Sequence, residues 1–319
     1  MDTLDFTVYR YLSPNGEARF WAGRRIIDPT IPAREIAEKV GISENGVRSR
    51  LRRLSEQGYL RGRAVTPNPS LFGVRVSVVE LPVKGSEEVE RIYRDLSLVD
   101  GVIFARDTLD EGNRAIGAYF VSEGDSSTAR RAALLRRLAS TGEPRPAATY
   151  SIPPSERELS PLDWRVLDVL FQHPEAEVAE IARLARISVK TAARRHHELL
   201  DSRALWYTHS PNSEEFPLAL VQVDVPRPES RDAVSAEIVR ATPSWMPVAQ
   251  DGLGLEPEAA RKVVAGLVPA DAPTLLERTV RKLLEMPGVG RVRRTFALGS
   301  RSYPGWFSER IAQRAPART

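Results

Sequence analysis

The segment Arg34-Glu-Ile-Ala-Glu-Lys-Val-Gly-Ile-Ser43 and its continuation, Glu44-Asn-Gly-Val-Arg-Ser-Arg-Leu-Arg-Arg-Leu54, have a near copy later in the chain. The copy is Ala179-Glu-Ile-Ala-Arg-Leu-Ala-Arg-Ile-Ser188, followed by Val189-Lys-Thr-Ala-Ala-Arg-Arg-His-His-Glu-Leu199, at a constant offset of 145 residues. Each copy predicts a short helix, a tight turn and a second helix that is rich in arginine. This pattern is typical of a helix-turn-helix, a motif that places its second helix in the major groove of DNA.

Local signals mark the ends of these helices in the first copy. Pro32 suits the first turn of a helix, Gly41 suits a left-handed residue after the helix end, and Ser43 suits an N-cap. Val47 and Leu54 lie on the apolar stripe of the second helix, so the opposite face is polar and basic. The segment 61–69 that follows predicts the wing of a winged helix.

The candidate DNA-binding residues are the polar and basic side chains of the two second helices and of the first wing. They are Ser43, Asn45, Arg48, Ser49, Arg52, Arg53, Arg61 and Arg63 in the first copy, and Lys190, Arg194, Arg195 and His197 in the second. Residues 44–63 hold six arginines and two glutamates, so this segment presents a concentrated positive charge to a phosphate backbone. Two such units in one chain predict a built-in dimer.

Composition limits the class of protein. The 319 residues exceed one ordinary domain, and there is no cysteine for disulfide or thiolate chemistry. The formal net charge is a mild +4, from 46 basic and 42 acidic residues. The polar start of the chain is unlike a signal peptide, and no apolar run approaches the ~20 residues of a membrane span. A cytoplasmic protein without a membrane segment is expected.

Each helix-turn-helix copy is followed by a segment that alternates between strand and helix patterns. After the first copy the order is strand, helix, strand, strand, helix, strand, and the order repeats after the second. The expected fold class is therefore α+β, with two winged helix-turn-helix domains alternating with two βαββαβ ferredoxin-like domains. The expected boundaries are 1–72, 73–155, 156–215 and 216–319, and the first copy carries about 13 extra residues, expected to form a loop, between its first two helices.

The chain resembles the Lrp/AsnC (leucine-responsive/asparagine regulator) family, and it does so twice. The resemblance lies in Leu4-Asp5 and Leu162-Asp163, in the two helix-turn-helix segments and in the stretch from Leu60 to Gly73. It implies a sequence-specific DNA-binding transcription regulator without enzymatic activity or cofactor. It further implies a single-chain pseudo-dimer that binds double-stranded DNA, responds to an amino acid or another small effector, and can assemble further.

Two other functions stay open. Some relatives of the family are sirohaem decarboxylases, but the four histidines, His173, His196, His197 and His209, all fall outside the βαββαβ segments. An architectural DNA-binding protein without an effector is the second alternative. The copies also differ, because Gly41 and Leu51 of the first are replaced by Arg186 and His196, which predicts weaker DNA readout by the second.

A candidate effector site lies between two predicted strands of the first βαββαβ segment. Asp107 and Asp110 could hold an amino group, and Arg114 could hold a carboxylate. A solvated hairpin turn explains the same residues equally well. The sequence contains no pattern of metal ligands, since the adjacent His196 and His197 cannot share one helical face.

Overall fold

The structure is a computed structural model. It describes residues 2–13, 16, 18–21, 24–57, 59–60, 63–138, 148–150, 152–209, 218–249, 261–269 and 273–315.

The first half begins with a helix-turn-helix that contains an inserted hairpin and continues into a βαββαβ unit. Its elements are α1 (Thr3–Arg10), β1 (Arg19–Trp21), β2 (Arg24–Ile27), α2 (Ala33–Val40), α3 (Glu44–Glu56), β3 (Arg63–Pro67), β4 (Arg75–Val83), α4 (Ser86–Leu96), β5 (Val102–Asp110), β6 (Asn113–Ser122), α5 (Asp125–Arg136) and β7 (Ala148–Thr149).

The second half repeats this order without the hairpin and ends in an added helix. Its elements are α6 (Pro161–Gln172), α7 (Val178–Ala185), α8 (Val189–Asp201), β8 (Leu205–His209), β9 (Leu218–Asp224), α9 (Arg231–Ala241), β10 (Met246–Pro247), β11 (Val263–Pro269), α10 (Pro273–Leu284), β12 (Val292–Ser302) and α11 (Gly305–Ala312). The α+β fold class predicted from the sequence is confirmed.

The strands of the two βαββαβ units form one eight-stranded sheet, in the order β10-β11-β9-β12-β5-β6-β4-β7. The two halves meet where β12 pairs antiparallel with β5, from Thr295 opposite Asp110 to Ser302 opposite Phe104. Within each half the strand order is that of a ferredoxin-like unit. The long β12 therefore serves as the last strand of its own unit and as the seam to the other unit.

A second, four-stranded sheet links the two helix-turn-helix units, in the order β1-β2-β8-β3. The predicted first wing differs from the expectation, because β3 pairs with β8 of the second unit rather than with a strand of its own unit. The extra residues of the first unit, expected as a loop, form the β1-β2 hairpin, and β2 pairs with the other edge of β8. This cross-pairing satisfies backbone groups that a free wing would leave to water.

The apolar side chains of the sheet are buried on both of its faces. On one face of the first unit, Val79 and Leu81 pack against α4 and α5. On the other face, Val76 and Phe104 join a core that includes the helix-turn-helix helices and Phe307 of α11. Among the described residues, no helix is long and apolar enough to cross a membrane.

Candidate nucleic-acid interface

The turn between α2 and α3 has the geometry that its sequence predicts. Gly41 ends α2 with a left-handed backbone at φ 77°, a conformation that side chains with a Cβ disfavour. The Ser43 hydroxyl then caps α3 by accepting a hydrogen bond from the Gly46 N–H at 3.1 Å. Val47 and Leu54 are fully buried, which fixes the face that α3 presents to solvent.

Four predicted contact residues share the exposed face of α3, namely Asn45, Arg48, Ser49 and Arg52. The Arg48 guanidinium lies 2.6 Å from the Glu44 carboxylate one turn earlier, and both side chains are largely exposed. Arg52 makes no ion pair with any described residue. An exposed helical ion pair is worth little in water, so both guanidiniums can turn to a phosphate or a base edge.

Arg53, also predicted to contact DNA, is tied to the first helix. Arg50 and Arg53 reach back from α3 to two acids of the α1 N-terminus, Asp2 and Asp5. Burial raises the pKa of Asp2, but the Asp5 N–H and these two guanidiniums outweigh it and lower the pKa to about 2. This cluster fixes α3 against α1 and leaves Arg53 half-exposed.

The two arginines predicted to lie on the first wing are Arg61 and Arg63. Arg61 lies outside the described residues. Arg63 stands in β3, where its guanidinium lies 2.6 Å from the Glu175 carboxylate and 5.3 Å from the centre of the Tyr207 ring. Both partners belong to the second helix-turn-helix unit, so Arg63 joins the two units.

The second unit has the same turn with a less suitable residue. Arg186 adopts the left-handed conformation, with φ 53° and ψ 52°, where the first unit has Gly41. The Ser188 hydroxyl caps α8 by accepting from the Thr191 N–H at 3.1 Å. His196, which replaces a leucine, is half-buried and shares a hydrogen bond of 2.8 Å between its Nε2 and the Tyr207 hydroxyl.

The predicted contacts of α8 divide into an exposed and an inward-facing group. Lys190, Arg194 and His197 are exposed, and the His197 Nε2 lies 3.1 Å from the Asp201 carboxylate. Arg195 instead points inward, with its guanidinium 3.4 Å from the fully buried Asp163. The structure therefore brings three of the four predicted α8 residues to one surface.

The sequence reasoning missed the role of the acid at the start of each first helix. Asp5 and Asp163 are both buried, and they bind Arg50 and Arg195, which lie at the repeat offset of 145 residues. The Leu-Asp dipeptide at each helix start was the available signal. Its repetition together with Arg50 and Arg195 could have predicted this structural ion pair.

The candidate effector residues lie where β5 turns into β6. Arg114 donates from Nε to the Asp107 carboxylate at 3.0 Å and from a terminal nitrogen to the Ser86 hydroxyl at 3.2 Å. Asp107 is buried, and its carboxylate lies 2.5 Å from the Arg114 guanidinium. Asp110 is half-exposed on the same strand. The structure thus joins Asp107 and Arg114 to each other, and an effector would have to exchange with this ion pair.

No group of three or more potential metal ligands occurs within the described ranges.

Comparison with known proteins identifies the first unit and the family. A profile described as winged helix-turn-helix DNA-binding matches residues 28–61. The transcriptional regulator LrpA of Pyrococcus horikoshii is 37% identical over 98 residues, which cover 26% of this chain and 70% of LrpA. The transcriptional regulator Ptr1 of Methanocaldococcus jannaschii is 30% identical over 112 residues, which cover 35% of this chain and 66% of Ptr1.

Solved structures are similar at lower identity. The siroheme decarboxylase NirDL, in complex with an iron-uroporphyrin III analogue, aligns over 100% of both chains at 12% identity and a TM-score of 0.49. An AsnC family transcriptional regulator from Agrobacterium tumefaciens aligns over 50% of this chain and 95% of its own, at 20% identity and a TM-score of 0.30. Neither likeness supports an assignment of activity. On the similarity to LrpA and the winged-helix match, the chain belongs to the Lrp/AsnC family.

Proposed function

We propose that this protein is a DNA-binding transcription regulator of the Lrp/AsnC type that acts as a single-chain pseudo-dimer. The observation that carries the proposal is the exposed face of α3, where Arg48 and Arg52 stand beside Asn45 and Ser49 within the segment that matches the winged-helix profile. The names of the relatives LrpA and Ptr1 support the same function.

In this proposal α3 enters the major groove. Arg48 and Arg52 lie one turn apart on one side of the helix, a spacing that allows one to bind a guanine edge while the other binds a phosphate. Asn45 lies towards the helix start and Ser49 lies between the two arginines, where a short polar side chain can reach an adjacent base. Arg50 and Arg53 hold α3 at its angle to α1, and we assign them a positioning role.

The pseudo-dimer rests on the two shared sheets. The pairing of β5 with β12 joins the βαββαβ units, and the pairing of β3 with β8 joins the helix-turn-helix units. We propose four domains with the boundaries 1–72, 73–155, 156–215 and 216–319, although β3 and β8 make one sheet across two of them. Each half then provides cover that a second subunit would provide in a dimer.

The second helix-turn-helix contributes a weaker DNA contact. Lys190, Arg194 and His197 are exposed on α8, but the Arg194 and His197 side chains face Glu198 and Asp201 of the same helix. Negative charge on the contact surface opposes phosphate binding. We therefore propose that α8 adds affinity without much sequence readout.

We also propose that the chain acts by binding rather than by catalysis, since all four histidines lie outside both βαββαβ units. An amino-acid effector at Asp107, Asp110 and Arg114 remains part of the proposal. It requires that the effector displace the ion pair between Asp107 and Arg114.

The test uses the full chain and genomic DNA fragments selected by the purified protein. The double variant Arg48→Ala, Arg52→Ala should weaken binding to the recovered sites by roughly tenfold to a hundredfold, the value of one or two lost base contacts. Affinity of the unmodified chain should fall steeply with salt, because bound phosphates release counterions.

A matched control removes the same charge elsewhere. Arg240 and Arg278 are exposed on α9 and α10, and the double variant Arg240→Ala, Arg278→Ala should bind as the unmodified chain does. Equal affinity of all three proteins for the recovered sites would refute the assignment of α3. Failure to recover any DNA at low salt would refute DNA binding altogether.

A further inference from the structure

The two adjacent arginines of β2 point in opposite directions, as alternation along a strand requires. Arg25 is fully buried against α1. It donates to the Tyr9 carbonyl at 2.8 Å and to the Ser13 hydroxyl at 3.0 Å, and it lies 4.1 Å from the centre of the Tyr9 ring. It thereby caps the C-terminal end of α1, where the helix dipole favours a cation.

Arg24 faces the eight-stranded sheet instead. Its guanidinium lies 4.8 Å from the centre of the Phe104 ring and donates to the Ser302 hydroxyl. Its Nε is buried and has no hydrogen-bond partner in the structure. Arg24 forms no ion pair with a described residue, so a cation is held against the sheet by a ring and a hydroxyl.

A second cation occupies the same face. The Arg106 guanidinium lies 5.8 Å from the centre of the Phe104 ring and 5.9 Å from that of Phe20 in the hairpin. The residues opposite Arg106 on the neighbouring strands are small, namely Gly117 on β6 and Ser300 on β12. The sheet therefore places little side-chain bulk on either side of this guanidinium.

No described acid neutralises the pair. Glu80 lies on the same face two strands away, across Gly117, and has interactions of its own. Burial and the charge of Arg106 together lower the pKa of Arg24 to about 10. A like charge and loss of water both disfavour the cation.

Three other partly buried arginines of the fold each have a carboxylate partner. Arg50 has Asp5, Arg114 has Asp107, and Arg195 has Asp163, each at ion-pair distance. Buried charge is normally compensated in this way. Arg24 and Arg106 lie next to each other under the hairpin with no acid of the described residues at ion-pair distance, so they offer two guanidiniums to an anion that this part of the chain does not supply.

We propose that Arg24 and Arg106 together bind the carboxylate of a small organic anion between the β1-β2 hairpin and the sheet, with the apolar body of the anion packed against Phe104 and Phe20. Two guanidiniums provide the donors that a carboxylate accepts, and the rings provide a flat apolar wall. The hairpin belongs to the DNA-binding unit, so the bound anion would join this unit to the sheet.

The experiment is isothermal titration calorimetry on the full chain with 2-naphthoate and benzoate as probes. The uncharged 2-naphthamide tests the need for charge, and inorganic phosphate tests the need for an apolar body. At least one aromatic carboxylate should bind more tightly than the amide and phosphate. The variants Arg24→Met and Arg106→Met should each weaken that binding by about tenfold or more, as expected for loss of a charged hydrogen bond.

The matched control is Arg301→Met. Arg301 lies 4.8 Å from the centre of the Tyr93 ring and pairs with Ala105, next to Arg106, but its side chain contacts Glu90 of α4 on the opposite face. This variant should bind the probe as the unmodified chain does.

Urea unfolding without ligand supplies a second measurement. Arg106→Met should raise the unfolding midpoint, because it removes a repulsive neighbour of Arg24, while it abolishes the probe-induced rise. Absence of binding by both carboxylates, equal binding of the amide or phosphate, or unchanged binding in both Met variants would each overturn the proposal. If Arg24→Met does not fold, Arg106→Met and the uncharged probe still decide it.

Discussion

The two helix-turn-helix units have the same helices and a buried aspartate at the same place, but the arginines that this aspartate binds come from different segments. In the first unit Asp5 binds Arg50 and Arg53, both from α3. In the second unit Asp163 binds Arg195 from α8 and Arg157 from the segment before α6. The position of Arg53 is held by Glu198 in the repeat.

This exchange changes what each recognition helix presents to solvent. Glu198 accepts hydrogen bonds from Arg157 and Arg195, each at 3.0 Å, and its pKa is lowered mainly by the Arg157 bond. The second unit has thus acquired an internal charge network on the helix that would read DNA. A repeated motif can thus keep its fold while the charged side chains of its second helix turn from solvent to internal ion pairs.

The largest expected effect comes from removing the central acid of the second unit. Asp163 is fully buried and also accepts from the Ser160 N–H and hydroxyl at 2.9 and 2.7 Å. Asp163→Asn should lower the free energy of unfolding by on the order of 3 kcal/mol, because it removes the buried carboxylate that both Arg157 and Arg195 bind and leaves only the partly exposed Glu198 to compensate them. Urea unfolding followed by tryptophan fluorescence measures it.

Asp5→Asn is the matched change in the first unit. A second acid remains in each network, Asp2 in the first unit and Glu198 in the second. The loss should still be smaller at Asp5, because among the described residues its carboxylate accepts hydrogen bonds only from Arg50 and Arg53, whereas Asp163 also accepts from Ser160. Equal losses for the two variants would show that the networks are equivalent and that the contrast between the units is wrong.

The next effect concerns DNA affinity. Lys190→Ala combined with Arg194→Ala should weaken binding by less than the Arg48, Arg52 pair does, and by a similar factor on all sequences, since phosphate contacts carry no sequence information. Competition binding against selected and random duplexes measures both quantities. Recovered sites should be non-palindromic, so a palindromic footprint with equal losses from the two double variants would contradict the asymmetry.

Local sequence signals predicted the helices because those signals act over a few residues. The N-cap at Ser43, the turn at Gly41 and the apolar stripe with Val47 all depend on neighbours within two helical turns. The exposed face of α3 follows from the same periodicity. These features of the first copy therefore agree with the structure.

The pairing of distant strands could not be predicted in the same way. Alternation identifies a strand but not its partner, and β8 pairs with β2 and β3 from the other half of the chain. Contacts between distant segments were equally hard to predict for the candidate DNA-binding residues. Arg53 and Arg195 were predicted to face DNA, since helical periodicity cannot show that an acid from another helix lies within reach.

A smaller effect is expected at the turn of the second unit. Arg186→Gly should raise stability by about 0.5 kcal/mol, because glycine removes the strain of a Cβ in the left-handed region and loses part of that gain through its greater freedom when unfolded. Arg186→Ala is the control, since it removes the side chain and keeps the Cβ. If both variants change the unfolding midpoint equally, the contacts of the arginine side chain and not the backbone decide stability at this turn.

In the first unit the reverse change, from glycine to a residue with a Cβ, measures the cost of the left-handed backbone by itself. A Cβ placed on Gly41 would meet no atom within 4 Å, so Gly41→Ala should destabilise through the left-handed backbone at φ 77° alone.

The smallest expected effect is a pH dependence of stability that His196 gives to the second unit. Burial, with help from Arg63 and His197, lowers the pKa of His196 below the ordinary value of 6.5, and Asp28 opposes this. His196 is therefore protonated at a higher pH in the unfolded chain than in the folded chain. The stability that neutral His196 contributes is fully present above about pH 6.5 and decreases as the pH falls below it.

His196→Leu restores the residue type that the first unit has at Leu51, and it should reduce the loss of stability between pH 7.5 and 5.5 by at most about 1.4 kcal/mol, the limit reached if folded His196 stays neutral throughout. The lost hydrogen bond to Tyr207 lowers stability at every pH, so the diagnostic quantity is the slope with pH and not the midpoint. His197→Gln, on the exposed side of α8, should leave the slope nearly unchanged. An unchanged slope in His196→Leu would mean that the half-buried imidazole takes up its proton as readily in the folded chain as in the unfolded one.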